Sequence, residues 1–266
     1  MEQEERLDDL LTALLGEKAD YREISIPSST EGKQRLFRSL VNLRPPIPVS
    51  DAFLEVQDAY LQTEIARKGI TRLEDLSPVE DGLYLWRGDC TTLAVDAIVN
   101  AANSQMLGCF VPCHGCIDNA VHTYAGVQLR LACAAMMERQ RAAEKTGGAK
   151  ITEAYNLPCR YVLHTVGPIV AGETTLEDER LLASCYRSCL TLAEQNGVRS
   201  IAFCCISTGE FHFPNRRAAE IAVDTVKSYR SATASEIKVI FNVFTEIDHS
   251  IYRGLLGEHQ ENTKGN

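Results

Sequence analysis

The chain has 266 residues, 45% of them hydrophobic and 24% charged, with a formal charge of −9; this suits one large globular core, or a domain of ordinary size plus an appendage. The acidic balance argues against a nucleic-acid partner, because tracking phosphates needs clustered Lys and Arg, and no apolar run approaches the roughly 18 residues of a membrane span. The acidic start MEQEERLDDLL is wrong for a secretory signal, so the ten cysteines point to a reducing, cytoplasmic setting in which thiols act as core residues, ligands or nucleophiles rather than as a disulfide framework.

Residues 1–75 read as a small helical extension. LDDLLTALLGE, GKQRLFRSLVNL and DAFLEVQDAYLQTEIARKG carry apolar residues at helical spacing. RPPIPVSD separates the second from the third, since its prolines cannot continue a helix and Ser50 or Asp51 can cap the next one. The apolar stripes need cover, so the extension is expected to be docked.

Residues 76–258 form the second unit. From about residue 82, short apolar runs (GLYLW, AIVN, YVLHTV, SIAFCCI, IKVIFNVF) alternate with helical stretches at Cys116 to about Lys145, Leu176–Gln195, Pro214–Arg230 and Ile247–Leu256. This alternation predicts an α/β fold with a buried sheet covered on both faces. Residues 259–266 are a polar tail expected to fray.

Ligands of such folds bind beyond the carboxyl ends of the strands, so the loops that follow them carry the candidates. In CISTGEFHFPNRR, Ser207-Thr208-Gly209 ends a strand just before a helix. Gly209 permits close backbone approach, and nearby peptide N–H groups can cradle an anion; a plain strand-to-helix turn fits as well. Asp89 in WRGDC can accept from an exocyclic amine or cap a turn, and Asn100 and Asn103 in VNAAN can hold sugar hydroxyls or simply shape a turn.

LGCFVPCHGCIDNAVH, residues 107–122, concentrates three cysteines and two histidines. Cys109, His114 and Cys116 can converge as a three-ligand metal site with an open position, Cys113 competes as a fourth ligand, and small buried cysteines beside a turn remain the plain alternative. His122 lies inside the following helix and is expected to point elsewhere. Asp118, on the first turn of that helix, either caps it or positions water. His164, within a strand, reads as a satisfied core histidine.

Four segments occur in order: GDCTTLAVDAIVNAANS, CIDNAVHTYAG, GGAKITEAYNLPCRYVLHTVGP and ISTGEFHFP. Together they resemble a macrodomain, the ADP-ribose-binding module, over roughly residues 82–257. The resemblance implies a three-layer α/β/α fold with a mixed central sheet. GCFVPCHGC stands where most macrodomains have a glycine-rich run, which is similar to the zinc-containing, microbial ADP-ribosylhydrolase branch, as is the helical extension. That branch implies one Zn²⁺ on Cys109, His114 and Cys116, and removal of mono-ADP-ribose from protein side chains, chiefly acidic ones. It also implies reversal of a sirtuin-type ADP-ribosyltransferase and, as a partner, a lipoyl-carrier protein related to the glycine-cleavage H protein.

By the same resemblance Asp89, with Cys90 beside it, receives the adenine amine and Phe244 stacks on the base. Ser207, Thr208, Gly209, Glu210 and Phe211 cradle the diphosphate, while Asn103 and Asp118 handle the distal ribose as catalytic residues. Glu210 departs from expectation, because a carboxylate near a diphosphate repels it unless turned away. The competing readings are an ADP-ribose reader with a structural zinc and an O-acetyl-ADP-ribose deacetylase.

Overall fold

The computed structural model describes residues 1–21 and 23–257; the predicted polar tail, 259–266, and the last residue of the second unit lie outside the described residues. Three helices open the chain: α1 (Gln3–Gly16), α2 (Thr30–Leu43) and α3 (Asp51–Lys68). Ser29 and Ser50 cap α2 and α3 by accepting from the Gly32 and Phe53 N–H groups. Leu7, Leu10, Leu11 and Leu14 of α1 pack against Phe37 and Leu40 of α2 and Tyr60 and Leu61 of α3.

A parallel pair, β1 (Thr71–Arg72) with β4 (Leu93–Ala94), links the extension to the second unit. The main sheet contains β2 (Pro78–Glu80), β3 (Leu83–Arg87), β5 (Ala97–Ala101), β6 (Ala149–Glu153), β7 (Tyr161–Thr165), β8 (Ser200–Phe203) and β9 (Lys238–Val243). Its order is β2-β3-β9-β8-β5-β7-β6. The five apolar runs of the sequence are the five parallel strands β3, β9, β8, β5 and β7. SIAFCCI is shorter than expected: β8 ends at Phe203, and Cys204 and Cys205 lead into the loop. Two strands absent from the sequence reading, β2 and β6, pair antiparallel at the edges and make the sheet mixed.

Helices cover both faces. The predicted Cys116–Lys145 helix is two helices, α4 (Ile117–Ala125) and α5 (Val127–Gln140). Gly126, at φ +94°, breaks the ladder between them, and Arg141, at φ +58°, ends the second. The others are α6 (Leu176–Gln195), α7 (Asn215–Thr233, with Pro214 as its cap rather than its first residue) and α8 (Glu246–Leu255). Side chains alternate as a strand dictates. Leu83, Val99, Leu163, Phe203 and Phe241 face α6 and α7, whereas Tyr84, Ile98, Val162, Ala202 and Ile240 face α4 and α5.

The extension is docked on that second helical layer. Ile65 of α3 enters the core beneath α4, and Val127 of α5 enters the core of the extension. All ten cysteines are free. No helix among the described residues is long and apolar enough to cross a membrane.

Candidate functional site

Because β3, β9, β8 and β5 are parallel neighbours, the residues that follow them line one rim of the sheet. At about 4.8 Å per strand, the rim from β3 to β5 spans roughly 14 Å. At its first end the Gly88–Asp89 turn is pinned to β9: Gly88 N–H donates to Val243 O at 3.1 Å and Asn242 Nδ2 donates to Gly88 O at 3.0 Å. Phe244 follows directly and is 79% exposed. Asp89 does what a cap does, accepting from Thr91 N–H at 3.0 Å, and its other oxygen takes Lys68 Nζ of α3 at 2.8 Å. Burial raises its pKa, but the Lys68 and Thr91 hydrogen bonds outweigh burial and hold the carboxyl below its usual value. Cys90 faces inward: its thiol is in the core, so only its backbone remains for a ligand.

After β8, residues 207–211 form a tight loop. His212 N–H donates to Gly209 O and Phe213 N–H to Ser207 O, and Phe211 O accepts from Val170 N–H on the neighbouring loop. Ser207 holds a left-handed backbone at φ +65°. Its hydroxyl is buried without a hydrogen-bond partner, the kind of polar atom a ligand satisfies. A Cβ on Gly167 would collide with that hydroxyl, so glycine there keeps the Ser207 rotamer possible. Glu210 Oε1 lies 3.4 Å from His114 Nε2.

Asn103 and Asp118 come together beyond β5. Asn103 Nδ2 donates to Gly108 O at 3.2 Å and points to Asp118 Oδ2 at 3.5 Å. Asp118 Oδ1 accepts from Asn100 Nδ2 at 2.8 Å. Burial pushes the Asp118 carboxyl up to about 6, against the Asn100 hydrogen bond and the Arg130 charge, which lower it. Asn100 is wholly buried in β5, and its Nδ2 supports Asp118. His122 points elsewhere as expected, into the interior, with Nε2 3.6 Å from Asp118 Oδ1.

The ligand atoms of Cys109, His114 and Cys116 lie within 4.8 Å of one another. Cys109 Sγ and His114 Nδ1 are 3.6 Å apart; two ligands at about 2.3 and 2.0 Å from one tetrahedral ion would be separated by roughly 3.5 Å. The donor set fits zinc, and Cys116 gains a further fit as the N-cap of α4, its sulfur accepting from Asn119 N–H at 3.4 Å. Cys113 lies outside the group. Its thiol meets Ser39 Oγ at 3.2 Å and Arg35 O at 3.5 Å on α2, which leaves Cys109, His114 and Cys116 as the three candidate ligands. A second buried set, His122, Cys133 and His164, has a member already satisfied: His164 meets Asn100 Nδ2 at 3.2 Å and Thr152 Oγ1 at 3.0 Å.

Sequence reasoning missed the partners contributed from a distance: Arg38, Asn42 and Lys68 from the extension, and Arg130 from α5. Arg130 alone left a signal, an arginine on the apolar face of a helix.

The Macro domain family profile matches residues 99–222. A protein of Treponema medium named protein-ADP-ribose hydrolase is 55% identical over 260 residues, covering 96% of this chain and 100% of that protein. One of the same name from Staphylococcus aureus (strain MSSA476) is 50% identical over 250 residues, covering 93% and 94%. A Trypanosoma brucei macrodomain in complex with ADP-ribose superposes with a TM-score of 0.65 at 33% identity, covering 83% of this chain and 95% of that one. Matched along the whole of such a relative, the chain belongs to the macrodomain family, within its protein-ADP-ribose hydrolases.

Proposed function

We propose that the chain hydrolyses mono-ADP-ribose from modified, chiefly acidic, protein side chains, with one zinc ion on Cys109, His114 and Cys116. The observation that carries the reading is the order of residues along the rim. Asp89 and Phe244, then 207–211, then Asn103, Asp118 and the Cys–His–Cys group follow the order of adenine, diphosphate and distal ribose in ADP-ribose.

In this reading Phe244 stacks on adenine, contributing on the order of 1–3 kcal/mol, while Asp89 accepts the exocyclic amine beside Lys68. Peptide N–H groups and the Ser207 hydroxyl receive the diphosphate. Asn103 fixes a ribose hydroxyl, and Asp118 orients the attacking water and accepts its proton. These contacts far from the scissile link supply binding and orientation. Zinc, when bound, supplies a Lewis acid for the ribose or ester oxygen, or for water. Asp118 is held for its role by Asn100 at 2.8 Å.

A reader with a purely structural zinc would want a closed shell, and Cys113 turns to α2 instead. Deacetylation of O-acetyl-ADP-ribose would use the same site on a smaller ester. The reading also takes from the family resemblance a sirtuin-type transferase whose modification is reversed, a lipoyl-carrier substrate protein and a cytoplasmic setting; ten free thiols support the last.

The test is release of ADP-ribose from an aspartate- or glutamate-linked mono-ADP-ribosyl protein, with and without chelator, and with O-acetyl-ADP-ribose in a parallel arm. Asp118→Ala should lose about 10²–10⁴-fold in rate while still binding ADP-ribose, and Cys116→Ala or chelation should stop release. Unchanged rates in both variants would reject the assignment.

A further inference from the structure

We propose that helix α2 is the clamp that sets the geometry of the metal-binding loop, with Arg38 and Asn42 as its positioning residues; this rests on the reading that Cys109, His114 and Cys116 hold zinc. Residues 104–116 contain no helix or strand. They include three left-handed residues, Met106 at φ +61°, Gly108 at +81° and Cys113 at +53°. For Met106 and Cys113 that conformation carries a steric cost, so the loop holds its shape only where the surroundings over-determine it.

The surroundings that do so belong to the extension. Arg38 Nη2 donates to the carbonyl of His114 at 2.8 Å, and Nε and Nη2 donate to Asn119 Oδ1 at 3.0 and 2.7 Å. Asn119 in turn donates its backbone N–H to Cys116 Sγ at 3.4 Å and its Nδ2 to Val111 O at 3.0 Å. One guanidinium is thus one hydrogen bond from the backbone of one proposed ligand and two from the sulfur of another.

Asn42, one helical turn on, is buried and works from the other side. Its Oδ1 accepts from the N–H of left-handed Cys113 at 2.9 Å, and its Nδ2 donates to Thr123 Oγ1 of α4 at 3.0 Å. The Cys113 thiol is held on the same face of α2 by Ser39 and the Arg35 carbonyl. The clamp therefore does two things: it aims His114 and Cys116, and it keeps a third sulfur out of the group. Such outer partners of metal ligands typically matter about 10–100-fold in metal affinity.

The experiment measures zinc release from the full chain to excess chelator, with zinc content per chain and thermal midpoints of zinc-loaded and metal-free forms. Arg38→Ala should release zinc about 10–100-fold faster than wild type, and the gap between its loaded and metal-free midpoints should shrink. Arg38→Lys keeps the charge but loses the fork that reaches two acceptors, so it should fall between; it also serves if the alanine variant does not fold. Wild-type release rates in both variants would overturn the clamp. So would equal losses of midpoint in loaded and metal-free Arg38→Lys, the sign of a merely structural residue. A wild-type chain that takes up no zinc would instead remove the reading on which the clamp rests.

Discussion

Gly108 shows how much single positions in the proposed metal-binding loop are asked to do. It holds φ +81°, and a Cβ built there would lie 2.7 Å from Cγ of the buried His122 ring. Gly108→Ala thus combines a left-handed backbone with overpacking and should cost about 1–3 kcal/mol in chemical denaturation of the metal-free chain; a loss below about 0.5 kcal/mol, within the range of an ordinary surface change, would contradict this packing. Residue types and spacings made Cys109, His114, Cys116, Asn103 and Asp118 legible as one neighbourhood, because they occupy a single loop and a helix start. What each one touches was less legible. Asn100 reads in the sequence as a sugar contact or a turn residue, and the fold makes it the buried support of Asp118. Glu210 looked misplaced beside a diphosphate and turns to His114. Arg38 and Lys68 bond to residues 76 or more and 21 positions away respectively, and no local pattern encodes such pairings.

At the scale of elements, the parallel strands were readable because burial on both faces makes them apolar runs. The edge strands were not: β6 is half-buried over its first four residues and exposed at Glu153, and β2 begins with Pro78. The α4–α5 break at Gly126 was hidden because apolar spacing continues across it. His164 on β7 ties its strand to both neighbours, meeting Asn100 of β5 and Thr152 of the edge strand β6. Burial drives its pKa down to about 4, and burial also lowers His122, helped by repulsion from His164 whenever that ring is protonated and by the Arg130 charge. Cys133 of α5 and Asp118 of α4 complete the ionisable groups around them. In the folded state both imidazoles stay neutral while the unfolded chain protonates near pH 6.5, so their stabilisation is complete above pH 6.5 and is lost as pH falls toward 4. Asp118, raised to about 6, takes up a proton in the folded state over the same window and opposes the loss, one carboxylate against two imidazoles. Urea midpoints of the metal-free chain should therefore fall between pH 6.5 and 4, and His164→Gln should flatten the slope. A wild-type midpoint that is level or rises across that window would contradict the buried neutral histidines.

Across the whole molecule, the extension and the macrodomain act as one packed body. Ile65 and Val127 exchange between their cores, Lys68 reaches the β3 end of the rim through Asp89, and Arg38 and Asn42 reach the 109–116 loop at its other end. A cleft of about 470 Å³ runs between α2, α3 and α4, with Cys113 and Lys68 among its lining residues. The helical extension was visible in the sequence as amphipathic stripes in need of cover, but its attachment to both ends of the rim was not, since only the fold brings residues 38–68 beside 89–123. The most direct measurement is a crystal structure of the chain with ADP-ribose, with anomalous diffraction collected at the zinc edge. One anomalous peak is expected, bonded to Cys109 Sγ, His114 Nδ1 and Cys116 Sγ, with Cys113 unbound and the distal ribose beside the ion, Asn103 and Asp118. A peak with four protein ligands, no peak, or a nucleotide lying away from that loop would contradict it.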